Sequence, residues 1–358
     1  MTAPVYLIYH HPTTFMRHTS FSALFRILGV SPLTYELSWA NLEGRSWTLG
    51  HLLRRIGVRY YGSEWNALVP FWHELRFAAG IGIGPSVVHF LWGEFASPRL
   101  PSLLRRKGAA IVGTFHCGAR RQEAVLGRVK ALGSYDRLAV VSETQIPFFV
   151  SKGYLRKRMR VLPLGVDTSY FRPLEGRAGP GGPLKMILVG QTERDHAFAA
   201  AVMRALAPEV ATLTVCTHPL SHFHYAGLAG VDLLPRQPDD ALLLLYQEAD
   251  LMLMPLLDCS ANDAILESMA CGTPVMVNRV GGVPEYVDPA CNFVLDGVDA
   301  GGWAARVTDL AKHRKGLEGR RGAVRAAAER FAWSRLAEVY KEFYGEARKG
   351  ADDGHRPA

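Results

Sequence analysis

The chain has 358 residues, of which 48% are hydrophobic and 21% charged. That is a length for about two domains and a composition that excludes disordered and fibrous classes. A run free of Lys, Arg, Asp and Glu extends from Phe77 to Gly93, but it carries four glycines, Pro85 and His89, whereas a lipid-spanning helix needs about 20 mostly apolar residues. Val5 to Tyr9 is too short for a signal-peptide core and no basic leader precedes it, so a cytoplasmic protein is expected. The cysteines, 117, 216, 259, 271 and 291, contain no C-x-x-C pair, which argues against a disulfide framework and a zinc site.

The net charge of +8 hides a division. Residues 1–175 hold 22 Lys plus Arg against 10 Asp plus Glu, a net +12, and residues 176–358 carry a net −4. A basic half is either a solvated face or the footprint of an anionic partner such as a membrane surface or a lipid phosphate. The densest basic segments, Arg105-Arg106-Lys107 and Lys152 to Arg160, have few interleaved aromatics and no nucleic-acid motif, so nucleic acid is not expected as a partner.

Short apolar runs alternate with amphipathic stretches, the pattern of a parallel sheet covered on both faces. In the first half, Val5–Tyr9, Ser86–Leu91, Ala109–Phe115 and Arg137–Val141 are expected strands. Phe21–Leu28, Trp65–Ala79 and Gln122–Ala131 are expected helices, and Ser142 to Gln145 forms a capping box. Leu174 to Leu184, with four glycines and two prolines, interrupts the rhythm as a linker. A second series follows, with strands at Lys185–Val189, Thr212–Thr217, Leu251–Pro255 and Pro274–Val277. Its helices are expected at His196–Leu206, Asp239–Glu248 and Asp263–Ala270. The apolar stripe Leu336, Val339, Tyr340, Phe343, Tyr344 predicts a closing helix over 335–347. The expected organisation is α/β: a Rossmann-like doubly wound domain over 1–173 with the closing helix packed back on it, a second such domain over 185–334, a cleft between them, and a disordered tail over 350–358.

Gly80-Ile81-Gly82-Ile83-Gly84 leaves a helix and enters a strand, the reverse of a dinucleotide fingerprint, and no P-loop is present. The informative stretch is Asp258 to Val287, DCSANDAILESMACGTPVMVNRVGGVPEYV. It resembles glycosyltransferase family 4, the retaining nucleotide-sugar transferases of GT-B fold. DRLAVVSETQIPFFVSKGY, RVLPLGVDTSYFRP, GTFHCG and FAWSRLAEVYKEFY are similar to other parts of that family, over roughly residues 105–347.

The resemblance implies that Glu267 holds the donor ribose, that Gly190 lets the backbone approach and that Arg194 meets the diphosphate, with Arg279 a weaker candidate. Arg236 would lie near the base, and the loop Ser260, Ala261, Asn262, Asp263 would offer backbone N–H groups at a positive helix terminus. His116 and Asp258 would touch the sugar. On the acceptor side the candidates are His10, His11 and Thr13; Trp65, Phe71 and Trp72, on one expected helix of the basic half, either suit a lipid-linked glycan or are ordinary core. Three departures stand out: Cys259 occupies the place of the family's first Glu, GQTERDHAF lacks its Lys, and HHPTTFMRHTS lacks its glycines.

No D-x-D occurs, so neither a metal nor another cofactor is expected. The expected partners are a nucleotide-sugar donor, a glycan or lipid-linked acceptor of polysaccharide biosynthesis, and an anionic membrane surface at which the chain would sit peripherally. Rival readings are a nucleotide-sugar epimerase of the same fold, a nucleotide-sugar-binding protein without turnover, and a polyanion-binding module.

Overall fold

The computed structural model describes residues 4–11, 18, 20–31, 33–36, 76–96, 100–126, 132–177, 179 and 181–352. Two compact units emerge. The first comprises residues 1–14, 24–162 and 337–358, the second residues 15–23 and 163–336.

In the first unit, described strands β1 (Val5–His11), β2 (Leu33–Glu36), β3 (Ser86–Phe90), β4 (Ala109–Phe115), β5 (Arg137–Val140) and β6 (Met159–Val161) form a sheet of order β2-β1-β3-β4-β5-β6, parallel at every pairing. Every residue of β3 and β4 is buried, as expected for strands covered on both faces, which read as unbroken apolar runs. Helices α1 (Ser22–Leu28), α2 (Leu100–Arg106), α3 (Ala119–Leu126) and α4 (Ile146–Ser151) belong to this half of the chain. The Ser142 hydroxyl and the Gln145 side chain form the reciprocal capping box that turns the chain from β5 into α4.

The second unit has β7 (Leu184–Val189), α5 (His196–Arg204), β8 (Ala211–Cys216), β9 (Val231–Leu234), α6 (Asp239–Glu248), β10 (Leu251–Met254), α7 (Asp263–Ala270), β11 (Val275–Asn278), β12 (Phe293–Leu295), α8 (Ala300–Lys312) and α9 (Arg314–Glu329). Its parallel sheet runs β12-β11-β10-β7-β8-β9. Helix α8 packs on α5, while α7 packs on α6 and α9. Residues Leu251 to Met254 have no exposed surface, and burying each such side chain contributes about 1.5–3 kcal/mol.

Strands β2, β6 and β12 escape the sequence because each has three or four residues at a sheet edge, too short for an apolar run. Helix α3 begins at Ala119 and is described to Leu126. Of the stretch 65–79, residues 76–79 are helical, while Trp65, Phe71 and Trp72 lie outside the described residues. The last helix, α10, spans Trp333–Asp352, so helix continues into the expected tail; residues 353–358 lie outside the description.

The expected division at 173/185 is corrected to Leu162/Pro163. Among its described residues the Gly/Pro stretch has no helix or strand before Leu184, yet the chain ahead of it is bound to the second unit. Val166 N–H donates to Phe331 O and Trp333 N–H to Val166 O. The Arg325 guanidinium donates to the carbonyls of Thr168 and Phe171, and Arg177 pairs with buried Asp250 at 2.6 Å. His18 joins it, its Nδ1 2.9 Å from Asp167 Oδ2. Within the first unit, buried His89 contacts Tyr344 Oη at 2.9 Å and Thr114 Oγ1 at 2.7 Å, and burial lowers its pKa to about 3, keeping it neutral.

Several cations of the basic segments are engaged internally. Arg105 pairs with Asp136 at 2.7 Å, Lys107 Nζ donates to the Ala78 and Ile81 carbonyls, and Arg160 pairs with Glu342 and Glu346.

Gly165 lies where a Cβ would come within 2.4 Å of the Trp333 ring, and that ring is pinned by its Nε1–H donating to Ser20 O at 2.7 Å. We expect Gly165→Ala to destabilise the fold by about 1–3 kcal/mol, as overpacking does. The check is a lower urea midpoint at unchanged m value; an unshifted midpoint would show that the indole yields freely.

Candidate functional site at the carboxyl edge of the second sheet

In the second sheet the strand order reverses between β7 and β10, the place where doubly wound sheets leave a crevice at their carboxyl ends. The chain leaves β7 through Gly190, whose φ is +99°, a left-handed conformation that favours glycine. A Cβ there would lie 2.7–2.8 Å from the Arg194 guanidinium, so the glycine also makes room for that side chain to fold back. Arg194 donates from Nε to Val189 O at 3.1 Å, from Nη1 to Thr192 O at 2.7 Å and from Nη2 to Asn262 Oδ1 at 3.0 Å. Its backbone is tied to the exit of β10: Asp195 N–H donates to Pro255 O and Leu257 N–H to Glu193 O, both at 2.9 Å. Burial pulls the Arg194 pKa down from its usual value, but a guanidinium remains charged.

Beyond β10 the loop Asp258 to Asn262 is mostly buried. Asp258 Oδ1 accepts from Cys259 N–H at 2.8 Å, and Gly282 N–H donates to Cys259 O at 2.7 Å. A Cβ on Gly281 would stand 2.0 Å from that same Cys259 oxygen; the Gly281-Gly282 turn therefore holds the loop by close backbone approach. Burial pushes the Cys259 thiol up to about 12, so it stays uncharged. Asn262 then N-caps α7, its Oδ1 accepting from Ile265 N–H at 3.3 Å as well as from Arg194.

Two carboxylates of α7 complete the cluster. Asp263, at the first helical position, has its Oδ1 buried with no hydrogen-bond partner among the described residues. Burial raises its pKa to about 6, opposed by the nearby Arg194 charge. Glu267, one turn on, is buried and its Oε2 accepts from Tyr246 Oη at 2.9 Å.

The structure thus brings Gly190, Arg194, Ser260, Ala261, Asn262, Asp263 and Glu267 to one end of the sheet, with Asp258 at the start of the same loop. Arg236, two residues past β9, is exposed at that carboxyl edge. Arg279 lies on the surface, 3.6 Å from Asp296. A cavity of about 340 Å³ opens next door on the α5 and α8 side, lined by Phe198, Leu295 and Trp303 among others. It shares Pro255 and Leu256 with the strand exit but includes none of Arg194, Asn262 or Glu267, so the chemistry lies beside it.

In the first unit, His116 follows β4 immediately. Its N–H and that of Cys117 donate to the buried Glu94 Oε1, its Nε2–H donates to Leu91 O at 2.8 Å, and its ring centroid lies 4.0 Å from that of Trp92. Burial lowers its pKa, with Glu94 opposing; the imidazole is neutral at pH 7. His10 and His11 end β1, while Thr13 lies outside the described residues. Among the described residues, no group of three or more His, Cys, Asp and Glu side chains could hold a metal ion, and no helix is long and apolar enough to cross a membrane. Glu94, Tyr246 and the Gly281 contact were not singled out from sequence, since each acts through a tertiary neighbour; only the place of Glu94 just past a strand hints at a role.

Two doubly wound parallel units, the second with its polar cluster at the topological switch, define the GT-B glycosyltransferase fold. Solved structures agree. Sucrose-phosphate synthase from Thermosynechococcus elongatus superposes with a TM-score of 0.70 at 16% identity, covering 96% of this chain and 98% of that one. Anabaena HepE in complex with UDP and glucose gives 0.67 at 12%, covering 96% and 100%.

Residues 183–313, most of the second unit, match the family model described as Glycosyl transferases group 1. Curated relatives include the D-inositol 3-phosphate glycosyltransferase of Salinispora arenicola, 29% identical over 68% of this chain and 64% of its own. That of Thermobispora bispora is 33% identical over 61% and 58%. The matched region thus spans about three fifths of those relatives' length.

The buried Asp263 carboxylate yields a pH signature. A folded-state pKa of about 6 against about 4 in the unfolded chain means the fold holds this proton more tightly. Its contribution to stability is then greatest below pH 4, declines between pH 4 and 6, and is level above. Asp263→Asn should lack that decline, so the stability of the variant relative to the natural chain should improve from pH 4 to 6 in urea titrations. A constant difference across that window would show that Asp263 ionises as an ordinary surface carboxylate.

Proposed function

We propose that the chain is a retaining glycosyltransferase that moves a sugar from a nucleoside-diphosphate sugar to a glycan, lipid-linked or phosphorylated polyol acceptor, without a resident metal. The observation that carries this reading is the Arg194–Asn262 clasp at the N-terminus of α7, one turn from the held carboxylate of Glu267. A guanidinium beside a capped helix terminus suits a diphosphate, and a fixed carboxylate suits a ribose diol. The family match over 183–313 and the printed names of the relatives support the reaction class. The solved complex with UDP and glucose puts UDP first among nucleotides to try.

In this reading the bond from the anomeric carbon to the phosphate oxygen breaks with negative charge building on the leaving diphosphate. Arg194 and the N–H groups opening α7 lie where that charge would be met. Gly190 allows the close approach, Arg236 serves the base, and Asp258 with Ser260 borders the sugar. His116 is the first unit's candidate for a sugar contact, its neutral ring suited to hydrogen bonding and unsuited to carrying charge. His10, His11 and Thr13 remain the acceptor-side candidates. The net +12 of residues 1–175 supports an anionic membrane as the platform.

A second reading, nucleotide-sugar binding without turnover, is favoured by Cys259 standing where the family has a carboxylate and by Asp258 turning an oxygen onto Cys259 N–H. Detection of transferred sugar separates the two.

A thermal-shift panel of UDP, GDP, dTDP and ADP with their sugars tests donor binding, since a ligand at 100 times its dissociation constant stabilises by about 2.7 kcal/mol. Glu267→Ala should weaken the nucleotide that binds by about 1.5–3 kcal/mol, the range for hydrogen bonds to a charged group. Unchanged calorimetric affinity would remove the ribose role. Transfer should also persist in excess chelator; complete loss, restored by manganese or magnesium, would contradict metal independence.

A further inference from the structure

We infer that Tyr246, on α6, is a positioning residue for nucleotide recognition, orienting the Glu267 carboxylate toward the ribose. The inference rests on the ribose role proposed for Glu267. Tyr246 has no exposed surface, and its Oη donates to Glu267 Oε2 at 2.9 Å. A glutamate has three rotatable side-chain bonds, and an unanchored one loses that freedom each time a ligand binds. Anchoring one oxygen in advance sets the plane of the carboxylate and leaves less to order on binding.

The anchor is itself fixed. Tyr246 packs edge-on against Phe171, with ring centroids 6.1 Å apart. Its backbone carbonyl accepts from Thr273 Oγ1 at 2.6 Å, and Arg321 on α9 donates to the same Thr273 oxygen at 3.1 Å. Thr273 is joined back to α7 by its N–H donating to Ser268 O at 2.9 Å and its carbonyl accepting from Ser268 Oγ at 3.1 Å. Helices α6, α7 and α9 therefore hold the phenol and the carboxylate as one unit. Burial and the adjacent carboxylate raise the phenol pKa well above its usual value, so the hydroxyl keeps its proton throughout the working pH range.

The test compares UDP with 2′,3′-dideoxy-UDP by calorimetry in four proteins: the natural chain, Tyr246→Phe, Glu267→Ala and the double variant. If the panel selects another base, the corresponding pair replaces them. The natural chain should prefer the ribonucleotide by about tenfold or more, as for hydrogen bonds to a charged group. Tyr246→Phe should shrink that preference to within about threefold while leaving dideoxynucleotide affinity unchanged. In the Glu267→Ala background the Tyr246 change should have no further effect, because a residue acting through another is silent once that other is gone.

The preference is a ratio within one variant, so partial unfolding does not alter it. A Tyr246→Phe protein with a lowered melting temperature and an intact preference would overturn the inference and leave Tyr246 a core residue. A natural chain with no preference would instead overturn the ribose role of Glu267.

Discussion

The hydrogen bond from Arg194 to Asn262 is the constraint on which the candidate site depends. It joins the turn leaving β7 to the residue that caps α7, the two elements flanking the reversal of strand order. Because Asn262 Oδ1 also accepts from Ile265 N–H, one oxygen both starts the helix and locates the guanidinium. Two further Arg194 N–H groups donate to carbonyls of its own turn, so the charge is held in place before any ligand arrives. Such preorganisation is what an anion-stabilising site requires, since dipoles fixed in advance need no reorganisation during reaction.

Around that bond the backbone is shaped by glycines at close approaches. Gly190 leaves room for the guanidinium, and Gly281 for the carbonyl of Cys259. Two segments distant in sequence thus meet the loop Asp258 to Asn262, one through Arg194 and the other through Gly281 and Gly282. The carboxylates are set apart by environment: Glu267 is bound by a neutral phenol, while Asp263, near Arg194, carries a buried oxygen with no hydrogen-bond partner among the described residues. Burial raises the pKa of Asp263 to about 6 against the pull of Arg194, which sets it apart from a solvent-exposed helix-capping acid.

The first unit repeats the same device in different chemistry. Glu94 gathers the backbone N–H groups of His116 and Cys117 at the end of β4, and the Leu91 carbonyl fixes the tautomer of the His116 ring. In both units, side chains at the carboxyl ends of parallel strands are held by buried polar partners, in keeping with the rule that buried polar groups are hydrogen-bonded.

Much of this was legible in the sequence. Apolar runs placed β3, β4, β7, β8 and β10 to within a residue or so, because strands covered on both faces are predominantly apolar. Helices α6 and α7 fell on the expected residues, α6 opening after Pro238 and α7 capped by Asn262. The stretch from Asp258 to Val287 put Glu267, Asn262 and Asp263 on one short helix and its approach. Tertiary structure alone decided the rest. The short edge strands lack a pattern long enough to read, and the unit boundary moved to Leu162/Pro163 because arginine-to-carbonyl bonds and a buried Trp333 hold the later segment to the second unit. Tyr246 became a partner of Glu267 only when α6 and α7 packed side by side. Sequence order encodes periodicity along one chain; which oxygen a phenol or a guanidinium meets is set by the packing of elements far apart in that chain.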